Sequence, residues 1–246
     1  MGTSTRSVPA RSARSPPPPA DALSLGDPLF LLNLKAYPSC LGPGAETLGR
    51  LLEELGRSSG VSVAIAPAMP DLGRLASELS IPVLAQHVDP VDAGPRTGWV
   101  PPEALRAAGA VGSLVNHSEH PLPAEAVRNA VDRLAALRLV AVVCARDVEA
   151  ARNLAGWRPP YLAVEPPELI GGDRAVSTAR PDVVSDTVSA VQQVSPTSRV
   201  LCGAGIHGRR DVVRALELGS RGVLVASAVT RANDPRAAIE ELLAGF

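Results

Sequence analysis

Eight short apolar runs, each followed by a stretch with helical periodicity, leave this chain few ways to fold. The runs are 28–36, 61–66, 81–86, 110–115, 139–144, 161–164, 199–203 and 222–226. The stretches between and after them, 44–57, 70–79, 101–109, 123–137, 147–155, 181–194, 209–218 and 234–244, read as helices. Leu48, Leu51, Leu52 and Leu55 fall on one helical face, as do Ala126, Val127, Ala130, Val131 and Leu134. Runs that are apolar at successive positions are buried on both sides, and strands of that kind alternating with helices make parallel sheets. Eight such units predict an α/β chain folded as a (β/α)8 barrel in a single domain, 28–246, with an open doubly wound sheet as the alternative. Residues 1–27 read as a disordered Pro-, Arg- and Ser-rich tail, because Pro16 to Pro19 break any helix there and no apolar signal core is present.

A barrel places function where its strands end. The polar residues of this chain fall there. Asn33 and Lys35 close the first run and, by the period of two, share one face. Of 24 basic residues Lys35 is the single lysine, a compact point charge in a chain that otherwise uses arginine. His117 follows the fourth run and suits a neutral hydrogen-bond donor and proton shuttle, with Glu119 two residues on as an orienting acid or a helix-start acid. Glu165 ends the sixth run. Pro166 and Pro167 follow it, and Glu168 to Gly172 then give an apolar tip with a flexible exit, the pattern of a base under a moving lid. Gly203-Ala204-Gly205 after the seventh run and Ala226-Ser227 after the eighth offer backbone N–H groups for a phosphate.

Composition removes other classes. A net charge of −1 provides no general field for nucleic acid or anionic membrane, and 2% aromatic content provides no stacking platform for single strands. No apolar run approaches the length of a membrane span. Cys40, Cys144 and Cys202 are odd in number and widely spaced, which reads as free thiols in a reducing cytoplasm. Neither they nor the four histidines form a metal-ligand pattern, and His87 and His120 read as loop or interface residues. The polar loop 87–100 is long enough to suggest self-association.

Seven motifs, in order and at strand ends, carry a family resemblance: N-L-K at 33–35, A-Q-H-V-D-P at 85–90, T-G-W-V-P-P-E-A at 97–104, G-A-V-G-S-L-V-N-H-S-E at 109–119, V-E-P-P-E-L-I-G at 164–171, L-C-G-A-G-I at 201–206 and G-V-L-V-A-S at 222–227. From about residue 28 onwards the chain resembles triosephosphate isomerase, in its short archaeal form. The resemblance implies interconversion of dihydroxyacetone phosphate and glyceraldehyde 3-phosphate through an enediolate. It implies Glu165 as the base, His117 as the neutral electrophile, Lys35 as the fixed cation with Asn33 beside it, and Glu119 as a supporting group. Ile170 and Gly171 would belong to the closing lid, and Gly205, Ala226 and Ser227 to the phosphate cradle. It also implies no metal or redox cofactor, a cytoplasmic homo-oligomer (dimer or tetramer), and the TIM barrel. The chain departs from the family pattern at Gly172-Asp173 in the lid, at His120-Pro121 after H-S-E, at Ala228, and at His207, Arg209 and Arg210. None of these removes a proposed catalytic group. They leave as alternatives an isomerase of a related sugar phosphate and a phosphosugar-binding barrel with little catalysis.

Overall fold

The computed structural model describes residues 24–166 and 175–246. Eight strands run through it: β1 (Leu29–Asn33), β2 (Ser62–Ala66), β3 (Leu84–Ala85), β4 (Gly112–Val115), β5 (Val140–Ala145), β6 (Tyr161–Val164), β7 (Arg199–Cys202) and β8 (Gly222–Val225). All pair in parallel, in the order β2-β1-β8-β7-β6-β5-β4-β3. The two ends of that order meet where Ile65 bridges Val83 and donates its N–H to the Pro82 carbonyl at 3.0 Å, so the sheet is nearly closed into a barrel. The third strand is shorter than the expected run, 81–86. Pro82 has no N–H to give to a ladder, which confines pairing there to the single bridge.

The helices of the outer ring are α1 (Pro43–Ser59), α2 (Met69–Glu78), α3 (Pro102–Ala107), α4 (Ala124–Ala136), α5 (Val148–Ala155), α6 (Val176–Ala179), α7 (Pro181–Val194), α8 (Arg209–Glu217), α9 (Ser227–Thr230) and α10 (Pro235–Leu243). The single-turn helices α6 and α9 were not expected from the sequence. α9 begins at Ser227, directly after β8.

Strand alternation divides the core in two. Leu29, Leu31, Leu114, Val142, Ala163, Leu201 and Leu224 point into the barrel shaft. Phe30, Leu32, Val115, Val143, Leu162, Val200 and Val223 point outwards and meet the helices. Tyr161 fills the N-terminal end of the shaft. Its hydroxyl accepts the Leu25 N–H and donates to the Gly26 carbonyl, both at 2.9 Å, so the short segment before β1 lies over that end. The opposite end, where the strands finish, holds the polar groups.

Candidate active site

β1 carries Leu29, Leu31 and Asn33 on its inner face, and the chain continues to Lys35 in a left-handed conformation, φ 52°. That conformation is strained for a residue with a Cβ. Two side chains hold it. Asn33 Oδ1 accepts the Lys35 N–H at 3.0 Å. Gln86 Nε2, just past β3, donates to the Lys35 carbonyl at 2.9 Å and to the Ala66 carbonyl at 3.0 Å. The ammonium so placed donates to Glu119 Oε1 at 2.6 Å. Glu119 is 56% exposed, so the contact orients Lys35 more than it stabilises the fold.

His117 follows β4 and is buried. The backbone N–H of Glu119 donates to its Nδ1 at 3.2 Å. A nitrogen that accepts carries no proton, so this bond assigns a neutral ring with its hydrogen on Nε2. Nε2 faces Glu165 Oε1 at 3.6 Å, too long for a hydrogen bond.

Glu165 follows β6, fixed by its N–H donating to the Ala145 carbonyl at 2.8 Å. Only 3% of the residue is exposed. Burial pushes its carboxyl above the ordinary carboxylate range; His117, a hydrogen bond from the Cys144 thiol and Lys35 pull it back, and Glu119 adds to the rise. Oε2 is buried and has no hydrogen-bond partner among the described residues. An under-satisfied carboxylate oxygen beside a neutral N–H donor is suited to taking a proton from a bound carbon acid.

Gly203 makes room for that carboxylate. A Cβ there would stand 2.5 Å from Glu165 Cγ. Gly205 adopts φ 67°, the left-handed turn that glycine makes at no steric cost. Asn33, Lys35, His117, Glu165, Gly203, Gly205, Ala226 and Ser227 line one cavity of about 30 Å³. A larger cavity, about 640 Å³, lies on the other side of Glu165 and is lined by Asn116, Cys144, Arg146 and Trp157 among others. Ammonium, imidazole and carboxylate converge on the smaller one.

A model of the family described as triosephosphate isomerase matches residues 28–242. The chain belongs to the triosephosphate isomerase family. It is 44% identical over 216 residues to the triosephosphate isomerase of Methanothermus fervidus, covering 88% of this chain and 97% of that one. The corresponding protein of Methanosarcina acetivorans is 43% identical over 219 residues, covering 89% and 99%. That of Caldivirga maquilingensis is 45% identical over 215 residues, covering 87% and 96%. All three carry the name triosephosphate isomerase.

Within this family frame, two of the expected site residues, Ile170 and Gly171, lie outside the described residues, as do Gly172 and Asp173. His87 and His120 stack, with ring centroids 3.9 Å apart and planes 6° from parallel, and His87 Nε2 meets Asp89 Oδ1 at 3.1 Å. Among the described residues no three His, Cys, Asp or Glu side chains are arranged to hold a metal ion, and no helix is long and apolar enough to cross a membrane. Sequence reasoning missed Gln86, Asn116 and Cys144. The glutamine at a strand end, in A-Q-H-V-D-P, was the one visible signal.

Proposed function

We propose that the protein interconverts dihydroxyacetone phosphate and glyceraldehyde 3-phosphate, with Glu165, His117 and Lys35 carrying the chemistry. The observation that carries this reading is the convergence of those three groups on one cavity. The Glu165 carboxylate takes a proton from the carbon beside the carbonyl and returns it to the neighbouring carbon. The His117 Nε2–H donates to the carbonyl oxygen as negative charge develops, and Lys35 stabilises the enediolate and the phosphate. Pairing a carboxylate base with a neutral imidazole is the known chemistry of this family. A donor preorganised at a developing oxyanion is typically worth about 10²–10³ in rate. The backbone of Gly203, Gly205, Ala226 and Ser227, which line the cavity, suits the phosphate.

The test is a coupled assay on purified protein with triose and tetrose phosphates. Turnover of the triose, abolished or cut by orders of magnitude in Glu165→Gln, supports the reading. Turnover of the tetrose alone, or binding without turnover, overturns it.

The reading extends to assembly and place. Trp99, 53% exposed in loop 87–100, is the large apolar side chain that a homo-oligomeric contact would cover. The buried free thiols Cys40, Cys144 and Cys202 suit a reducing cytoplasm.

A further inference from the structure

Asn116 stands immediately before His117 with φ 61°, a left-handed conformation that few residues with a side chain adopt readily. Its amide spans two structures. Nδ2 donates to the Cys144 carbonyl in β5 at 2.9 Å, and Oδ1 accepts the Leu122 N–H at 2.9 Å. The loop from 116 to 122 is therefore pinned at both ends by one side chain. Inside that loop His120 donates its N–H to the His117 carbonyl at 2.8 Å, and Glu119 donates to the ring. The grip on β5 also reaches the base. The residue after Cys144, Ala145, accepts the Glu165 N–H at 2.8 Å.

We propose that Asn116 is a positioning residue that sets the separation between His117 Nε2 and Glu165. The inference rests on the isomerase reading above and adds to it a residue that touches neither substrate nor reacting atoms. The residue type follows from two demands made together. The backbone must be left-handed, which Gly, Asn and Asp tolerate; the side chain must donate at one end and accept at the other, which of these only Asn does. Gly keeps the backbone and loses the bridge. Asp keeps the acceptor for Leu122 and sets a carboxylate against the Cys144 carbonyl.

The variant series separates these roles. For Asn116→Gly the expected result is a fall in kcat of about 10- to 100-fold with KM within about threefold, because displacement of a catalytic group by a fraction of an ångström to an ångström costs on that order. Asn116→Asp should fall between Asn116→Gly and the unaltered protein. Ser198→Ala serves as the stability control. Ser198 is buried at the other end of the barrel, bonded to the Pro159 carbonyl at 2.6 Å and to Ser195 at 2.8 Å, and its loss should lower the Tm without changing kcat at 25 °C. A second readout is the imidazole ¹⁵N spectrum of His117, expected as one sharp Nε2–H tautomer in the unaltered protein and broadened in Asn116→Gly. The proposal is overturned if Asn116→Gly keeps kcat within twofold, if Ser198→Ala at equal Tm loss lowers kcat as much, or if KM alone changes. Should the unaltered protein show no turnover, the isomerase reading fails and the spectrum decides alone: an unchanged sharp signal in Asn116→Gly overturns the positioning role, and broadening sustains it.

Discussion

Replacing Gly203 by alanine is the sharpest test of how the base is held. The added methyl would sit 2.5 Å from Glu165 Cγ and 3.2 Å from both Cδ and Oε1. Ordinary carbon–carbon contact lies near ~3.5 Å, so the Glu165 side chain must retreat by about 1 Å. The backbone of Gly203 lies outside the left-handed region, so alanine brings no conformational strain of its own. The damage should therefore fall on geometry rather than on folding. A 1 Å misplacement of a reacting group costs about 10²-fold, which sets the expected loss of kcat, equivalent to about 2.7 kcal/mol of barrier. The assay is steady-state isomerisation of glyceraldehyde 3-phosphate beside a thermal melt. A Gly203→Ala protein with kcat within threefold of the unaltered one refutes the reasoning, as does a structure in which Glu165 has not moved.

Lys35→Ala should lower kcat/KM by at least about 10³, and Lys35→Arg by at least about tenfold, since a planar fork cannot replace a point charge in so small a cavity; the same assay checks both. The raised Glu165 carboxyl has two consequences for pH. The acid limb of kcat/KM should lie above the ordinary carboxylate value, because the base must be ionised to work. Keeping the charged form buried also costs stability. That cost is absent below the unfolded-state value, grows as pH rises through the interval up to the raised folded value, and is full above it. Glu165→Gln should therefore raise the Tm at pH 8 and leave it little changed at pH 4, read by calorimetry. At the start of α5, Asp147 accepts the Ala150 N–H at 2.7 Å, and Asp147→Ala should cost about 1 kcal/mol in urea unfolding with kcat unchanged.

The eight-fold alternation was legible because burial on both faces of a parallel strand leaves an unbroken apolar run, and helices mark the gaps. The length of β3 was not, because pairing is decided across strands; Pro82 was visible, but its effect depends on the neighbour that needed its N–H. Candidate site residues stood out where chemistry is singular: one lysine, one acid before two prolines, a glycine pair after a strand. Gln86 and Asn116 did not, because each acts by gripping backbone groups far away in the chain. Gln86 reaches a carbonyl 51 positions back and Asn116 one 28 positions on, and a backbone carbonyl leaves no residue pattern to read. The stack of His87 on His120 was hidden in the same way: ring-on-ring contact across two loops has no signature in either.

Among the described residues, the shaft filled by Leu29, Leu31, Val142 and Leu224, and stoppered by Tyr161, leaves no passage through the barrel floor. Whatever reaches Glu165 therefore comes from the end where the strands finish and not along the barrel axis from below.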